Sequence, residues 1–223
     1  MQPLCTVVAL GAAPARAAAR FDAAACACDL LPFGEDLFAR IKHAEAGSMV
    51  LLLTDESDDP ALAGAAKAAR ILERRGGGEA VVVLPSVPAL PGPQARARLE
   101  RAATLSRCCV VQPVGPASWA DAVRCFVEPL AVFGLIGIDP REIHGLLRPR
   151  TVLLHLWQDD SLDRALPDAR EVLVTCRLRP SATLREVEEA ARRVRESTEA
   201  RLVLAGPEVA RDEGPRAIAA VFL

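Results

Sequence analysis

Met49-Val-Leu-Leu-Leu-Thr54, Asp59-Pro-Ala-Leu-Ala-Gly-Ala-Ala-Lys-Ala-Ala-Arg-Ile-Leu-Glu73 and Ala80-Val-Val-Val-Leu84 succeed one another in the chain with only short stretches between them. The first and third are unbroken apolar runs of strand length. A strand with one face in water would alternate, so these read as strands buried on both faces. The middle stretch reads as a helix. Pro60 sits in its first turn, Leu62, Ala66, Ala69 and Leu72 share one face, and Gly76–Gly78 stop it. Buried strand, helix, buried strand is the unit from which parallel sheets are built.

The pattern extends in both directions. Leu4–Leu10, between Pro3 and Gly11, reads as a strand; the Ala/Arg-rich stretch Pro14–Ala27 and then Glu35–Ala46 read as helices, the second stopped by Gly47. After the Pro-rich loop Pro85–Pro93 come a helix over Gln94–Leu105 and a strand over Cys108–Gln112. A parallel sheet covered on both faces is expected for this half. Ala117–Phe133 then reads as a long helix with Pro129 inside it as a kink or break, followed by Gly134–Asp139 and a short helix, Pro140–Leu147. Strands are expected at Thr151–Trp157, Glu171–Leu178, Arg201–Ala205 and Ala217–Phe222. Thr183-Leu-Arg-Glu186 has capping-box spacing, and Leu184, Val187, Ala191 and Val194 line the helix it opens. This divides the chain into 1–115, a central helix and loop over 116–147, and a small α+β domain over 148–223. There is no internal repeat.

Composition narrows the function. Of 223 residues, 51% are hydrophobic and 25% charged, as in a globular protein. Lys+Arg 27 against Asp+Glu 29 leaves a net charge of -2, with no basic field for nucleic acid. No apolar run reaches the roughly 18–20 residues of a membrane span, and Leu4–Leu10 lacks the basic flank of an export signal. A soluble, cytoplasmic chain without direct membrane insertion is expected. The 7 cysteines then read as reduced, buried thiols. Neither Cys26/Cys28 nor Cys108/Cys109 has the spacing of a zinc-ligand pair, and no metal is expected. Ser57 lacks a Gly-x-Ser-x-Gly context, Cys26 and Cys28 lie at the end of a predicted helix without cationic neighbours, and His43, His144 and His155 are dispersed. Arg16 and Arg20 read as surface charges, and Arg192, Arg193 and Arg195 with Glu188, Glu189 and Glu196 as a salt-bridged helix face. Phe126, Phe133 and Trp157 read as core or interface.

Several words in order resemble the tubulin/FtsZ superfamily. Ala39-Arg-Ile-Lys-His-Ala-Glu-Ala-Gly-Ser-Met-Val-Leu-Leu-Leu-Thr54 is similar to the FtsZ segment before its glycine signature, and Ala63–Leu72 to the helix after it. Ala122-Val-Arg124 and Gly134-Leu-Ile-Gly-Ile-Asp-Pro-Arg-Glu-Ile143 resemble the central helix and its following loop. Ala169–Val174 and Ala182–Ala190 resemble the C-terminal domain. The resemblance implies a Rossmann-type α/β parallel sheet, a central helix and a small α+β C-terminal domain.

The departures from that family fall on chemistry. FtsZ holds GTP with glycine-rich loops, whereas the first loop here is Gly11-Ala-Ala-Pro-Ala and the signature position reads Ser57-Asp-Asp-Pro-Ala-Leu-Ala63. Phosphate cradles need closely approaching backbone N–H groups, which side chains and proline obstruct. Asp58 and Asp59 stand where phosphates would go, with Asp55 and Glu56 adding like charge. At an effective dielectric of about 20, one like-charge contact near about 4 Å opposes binding by roughly 4 kcal/mol. Gly11, Ser57, Asp58 and Asp59 are thus expected to form a degenerate pocket with no bound nucleotide or other cofactor. The segments before Met49 and between Leu147 and Glu171 are short for the family, and the end at Leu223 leaves no adaptor-binding tail, as expected of a pared-down relative.

In FtsZ the loop after the central helix carries Asn-x-Asp-x-x-Asp, whose acids activate water in the next subunit's pocket. The equivalent here is Gly137-Ile-Asp139-Pro-Arg141-Glu142, with Gly for Asn and both acidic positions kept in kind. Two roles suit these residues. One is contact with a partner, either FtsZ, another FtsZ-like protein or a second copy stacked head to tail. The other is helix capping by Asp139 with Glu142 at N3. The expectation is a non-enzymatic pseudo-GTPase that binds partners, with an assembly-activated GTPase or a nucleotide-independent structural protein as alternatives.

Overall fold

The computed structural model describes residues 5–10, 28–32, 49–54, 59–74, 79–131, 134–178, 183–207 and 217–223. The chain divides into two compact units. The first comprises Met1–Pro85, Pro91–Gln112 and Leu147–Thr151. The second comprises Ser86–Leu90, Pro113–Leu146 and Val152–Leu223. A simple cut of the chain at 115 and 147 does not reproduce this division, because Ser86–Leu90 joins the second unit and Leu147–Thr151 the first. The long helix belongs with the C-terminal strands.

In the first unit, β1 (Cys5–Leu10) pairs in parallel with β2 (Cys28–Pro32) on one side and β3 (Met49–Thr54) on the other. β3 continues to β4 (Glu79–Val83) and β4 to β5 (Cys109–Pro113), again in parallel. The helices α1 (Asp59–Glu73) and α2 (Pro93–Ser106) form the crossovers. Val50, Leu52, Val82 and Val110 pack with Ala68 and Leu72 of α1 and Ala103 of α2. Leu51, Leu53, Val81 and Val83 on the opposite sheet face are equally buried, which is why these runs do not alternate.

The second unit holds α3 (Trp119–Ala131), β6 (Gly134–Ile136), α4 (Pro140–Leu146), β7 (Thr151–Leu156) from Val152 onward, and α5 (Ser161–Ala165). It continues through β8 (Glu171–Cys176), α6 (Leu184–Ser197), β9 (Arg201–Pro207) and β10 (Ala217–Phe222). β10 lies antiparallel between β7 and β8, β8 pairs in parallel with β9, and β6 caps the end of β9 antiparallel. Val187, Ala190 and Val194 of α6 pack on Leu153, Val174 and Val221. Alternation along β8 turns Thr175 to the other face, toward α3.

Several expectations need correction. β2 falls between the two predicted helices, so Cys28 opens a strand rather than ending a helix; the helices expected at 14–27 and 35–46 lie outside the described residues. Gly134–Ile136 is a strand and not loop, because β9 offers it an edge. Thr183 is the N-cap of α6, but its hydroxyl makes no capping bond, and Glu186 N–H donates instead to the Thr183 carbonyl at 3.2 Å. Leu184 is 55% exposed, while Ala190 is buried with Val187, Ala191 and Val194. Arg193 leaves its own helix face, pairing with Asp163 at 2.9 Å and lying over the Trp157 ring at 4.7 Å from its centroid. Phe126 is wholly buried, and Phe133 lies outside the described residues.

Gly115 is held in the left-handed region at φ 61, with Asp159 Oδ2 only 2.5 Å from where a Cβ would stand. Its N–H donates to the Val87 carbonyl at 2.8 Å and its carbonyl accepts from the Ser86 hydroxyl at 2.9 Å. Gly115→Ala therefore adds both left-handed strain and a clash with a carboxylate. It should cost about 2–4 kcal/mol, read as a lowered denaturation midpoint.

Candidate functional site

The loop after α3 is built from its two ends. At one end β6 pairs with β9, Gly134 against Pro207 and Ile136 against Gly206. Gly206 sits in close quarters: a Cβ there would lie 3.1 Å from Leu178 Cδ1 and 3.4 Å from Ile136 Cβ, so those side chains would have to shift. At the other end Ile143 and Leu146 are buried and seat α4. Gly137–Glu142 spans these anchors with Gly137, Asp139, Arg141 and Glu142 all exposed. A Cβ on Gly137 would meet nothing within 4 Å, so the backbone does not demand glycine there.

Asp139 is the N-cap of α4. Its Oδ1 accepts the Arg141 N–H at 2.8 Å, and its carbonyl accepts the Glu142 N–H at 2.8 Å. Glu142 does not close a capping box. Its carboxylate receives Arg201 Nη2 at 3.2 Å, while Arg201 Nη1 reaches Glu171 at 3.1 Å. The structure thus brings Asp139, Arg141 and Glu142 to one exposed turn and adds Arg201 and Glu171, which sequence reading missed. Half-buried His144 is in the last turn of α4, where burial lowers its pKa.

Of the expected nucleotide pocket, Gly11, Ser57 and Asp58 lie outside the described residues. Asp59 is the first residue of α1. At the start of α3 the Asp121 carboxylate reaches back to Ser118, while the Asp121 N–H donates to the Ser118 carbonyl at 3.1 Å. Ser118 N–H and Oγ donate to Asp121 Oδ2 at 2.9 and 2.7 Å, and Arg124 holds Oδ1 at 2.9 Å.

A second polar cluster also escaped sequence reading. His155 Nδ1 lies 2.9 Å from Ser161 Oγ and 3.9 Å from Asp159 Oδ2, and Asp159 Oδ1 accepts the Ser161 N–H at 2.9 Å. His155 is completely buried, and its Nε2 has no hydrogen-bond partner among the described residues. Burial drives its pKa down to about 4, against a smaller upward pull from Asp159. Burial works to raise the Asp159 pKa, but the Ser161 hydrogen bonds and the His155 and Arg164 charges carry it below the usual range. The arrangement is not a nucleophile triad, since hydroxyl and carboxylate both face the same ring nitrogen. Burial likewise raises the Cys108 and Cys125 thiols to about 12 and Cys176 to about 11, which keeps them protonated. Among the described residues no three His, Cys, Asp or Glu converge as a metal site, and no helix is long and apolar enough to cross a membrane.

Two of these groups have opposite linkage to pH. His155 in the second unit resists the proton that its unfolded form accepts near 6.5, so stability falls as pH drops from there toward 4, by about 3 kcal/mol. Glu79 in the first unit is pushed up to about 7 by burial, opposed by Arg148. Its contribution is complete below its ordinary pKa and is lost as pH rises through about 7. Acidification from neutral should weaken the second unit and strengthen the first, as read by hydrogen exchange of each. His155→Asn should remove the second unit's His-linked slope, and Glu79→Gln the first's. At the loop, Asp139→Ala should cost about 0.5–2 kcal/mol of stability and Asp139→Asn far less, because Asn still caps. Thermal denaturation distinguishes them.

No protein-family model and no curated protein sequence matches the chain. Solved structures do. An empty FtsZ dimer from M. jannaschii superposes with a TM-score of 0.71 at 15% identity, covering 100% of this chain and 89% of that one. A point mutant of FtsZ from the same organism superposes with a TM-score of 0.53 at 16% identity, covering 84% of this chain and 67% of that one. The fold is FtsZ-like.

Proposed function

We propose that this chain is a non-enzymatic, FtsZ-like pseudo-GTPase of the cytoplasm that binds a partner protein through Gly137, Asp139, Arg141 and Glu142. The observation that carries the reading is an asymmetry. The loop after α3 presents two exposed carboxylates, while the helix after β3 begins at Asp59-Pro60, with no glycine from Ser57 to Ala63. The loop keeps charged groups for a partner, and the Ser57–Ala63 sequence carries acidic residues where a phosphate would need glycine N–H groups. Recognition of another molecule is the function that this distribution favours. FtsZ, another FtsZ-like protein or a second copy is the partner class that the likeness to a dimeric FtsZ structure supports. A head-to-tail contact of this kind is heterologous, so a subunit with a defective upper face ends the filament it joins. A role in regulating a bacterial division or cytoskeletal filament follows.

Retention of both acidic positions, Asp139 and Glu142, favours one second reading: a divergent GTPase active only on assembly. Calorimetric titration with GTP and Mg²⁺ separates the two. The pseudo-GTPase shows no saturable binding at micromolar nucleotide, whereas such binding would establish the enzyme. Added to polymerising FtsZ, the chain should shorten the sedimenting polymer and lower phosphate release, and Asp139→Ala with Glu142→Ala should abolish both effects. Unchanged polymer length and turnover with the wild-type chain would remove the capping reading.

A further inference from the structure

The anchor behind the loop carries an inference that rests on the docking reading above. Pro129 has no N–H, so the Cys125 carbonyl four residues earlier loses its helical partner. Thr175 Oγ1 fills that gap from β8, donating to the Cys125 carbonyl at 2.9 Å with no exposure to solvent. Next to it, Arg177 grips Glu128 with two prongs, Nε to Oε2 at 2.6 Å and Nη2 to Oε1 at 3.1 Å, both residues being buried. The following residue, Leu178, donates its N–H to the Pro207 carbonyl at 2.8 Å. Pro207 and Gly206 are the positions of β9 that pair with β6. The chain therefore leaves α3 for β6 along its sequence and returns to α3 through Pro207, Leu178 and Arg177. The loop Gly137–Glu142 issues from that closed ring.

A buried ion pair is a poor source of stability, because two desolvated charges recover little more than well-packed apolar side chains would. A two-pronged guanidinium–carboxylate pair does fix direction, since both nitrogens must meet both oxygens at once. We propose that Arg177 is a positioning residue for the docking loop. Its grip on Glu128 holds the last turn of α3 to the β8–β9 side of the ring and presets the place from which Asp139 and Glu142 project. A partner subunit then meets an ordered loop and does not bear the entropy of ordering it.

The test uses the full chain with Glu128→Gln and Arg177→Met together, which removes the fork without leaving a lone buried charge. Hydrogen exchange read by mass spectrometry should show the amides of 134–142 opening about tenfold faster, with the β7, β8 and β10 ladders unchanged. Arg177→Lys, which keeps the charge and loses the fork, should loosen the same segment. If the double variant does not fold, Arg177→Lys alone decides, with Thr175→Ser, which keeps both the fork and the hydroxyl, as the control that should leave the segment unchanged. Unchanged exchange at 134–142, or a uniform rise across the second unit, overturns the proposal. In co-sedimentation with FtsZ, the variants should lose binding in proportion to that loosening. If the wild-type chain binds no FtsZ-type subunit, the docking reading falls, while the exchange result still decides whether Arg177 positions the loop.

Discussion

The Cys125 carbonyl is the constraint around which the second unit is arranged. A proline inside a helix removes one hydrogen bond and crowds the preceding turn, at a cost of about 3 kcal/mol where nothing compensates. Here compensation comes from a single hydroxyl fifty residues further on. Thr175 interrupts an apolar strand, Glu171-Val-Leu-Val-Thr-Cys176, and without that carbonyl it would be a buried polar group with no counterpart. Each of the two residues removes a defect that the other would otherwise suffer, and the mutual satisfaction registers α3 against β8. Glu128 and Arg177 repeat the link next to it in charged form.

A second regularity concerns helix N-termini. At α3 Asp121 accepts the Ser118 N–H, at α4 Asp139 accepts the Arg141 N–H and at α5 Asp159 accepts the Ser161 N–H, whereas α2 and α6 have no side-chain cap. The Asp59-Pro60 pair at the start of α1 follows the same chemistry in sequence. Unpaired N–H groups at a helix start attract any anion, and a protein's own carboxylate is the most concentrated one available. A helix start so occupied resists phosphate twice over, through competition for donors and through like charge.

The elements read correctly from sequence were those whose burial leaves no ambiguity. β3, β4 and β5 are apolar on both faces, and α1 is bounded by Asp-Pro and a triple glycine. β2 was not legible, because Cys-Asp-Leu-Leu-Pro carries a charge and a proline, and only pairing with β1 makes it a strand. β6 is three residues long and exists because β9 offers an edge closed in by Gly206. Capping spacing shows the limit most clearly. Thr183-x-x-Glu186 and Ser118-x-x-Asp121 share one pattern, yet only the second closes through its side chains. At the loop, Asp139 as a cap follows from Asp-Pro, which is local information. Glu142's partner stands fifty-nine residues away, and nothing in local sequence selects Arg201.

Capping and docking do not compete for Asp139. The cap uses one oxygen, Oδ1, whereas an ionised carboxylate has two oxygens and about four acceptor sites. Had Glu142 closed a capping box, it would have turned back toward the Asp139 backbone and away from any partner. Its pairing with Arg201 instead holds it outward, with Glu171 sharing the same guanidinium. An exposed ion pair of this kind contributes little to folding, so the gain from the triad lies in restricting where Glu142 can be. The two acids are thus held by different elements, Asp139 by its own helix and Glu142 by β9, and β9 is also the strand that receives β6. The segment is therefore fixed at both ends by one strand, since β9 pairs with β6 and, through Arg201, holds the acid in the first turn of α4.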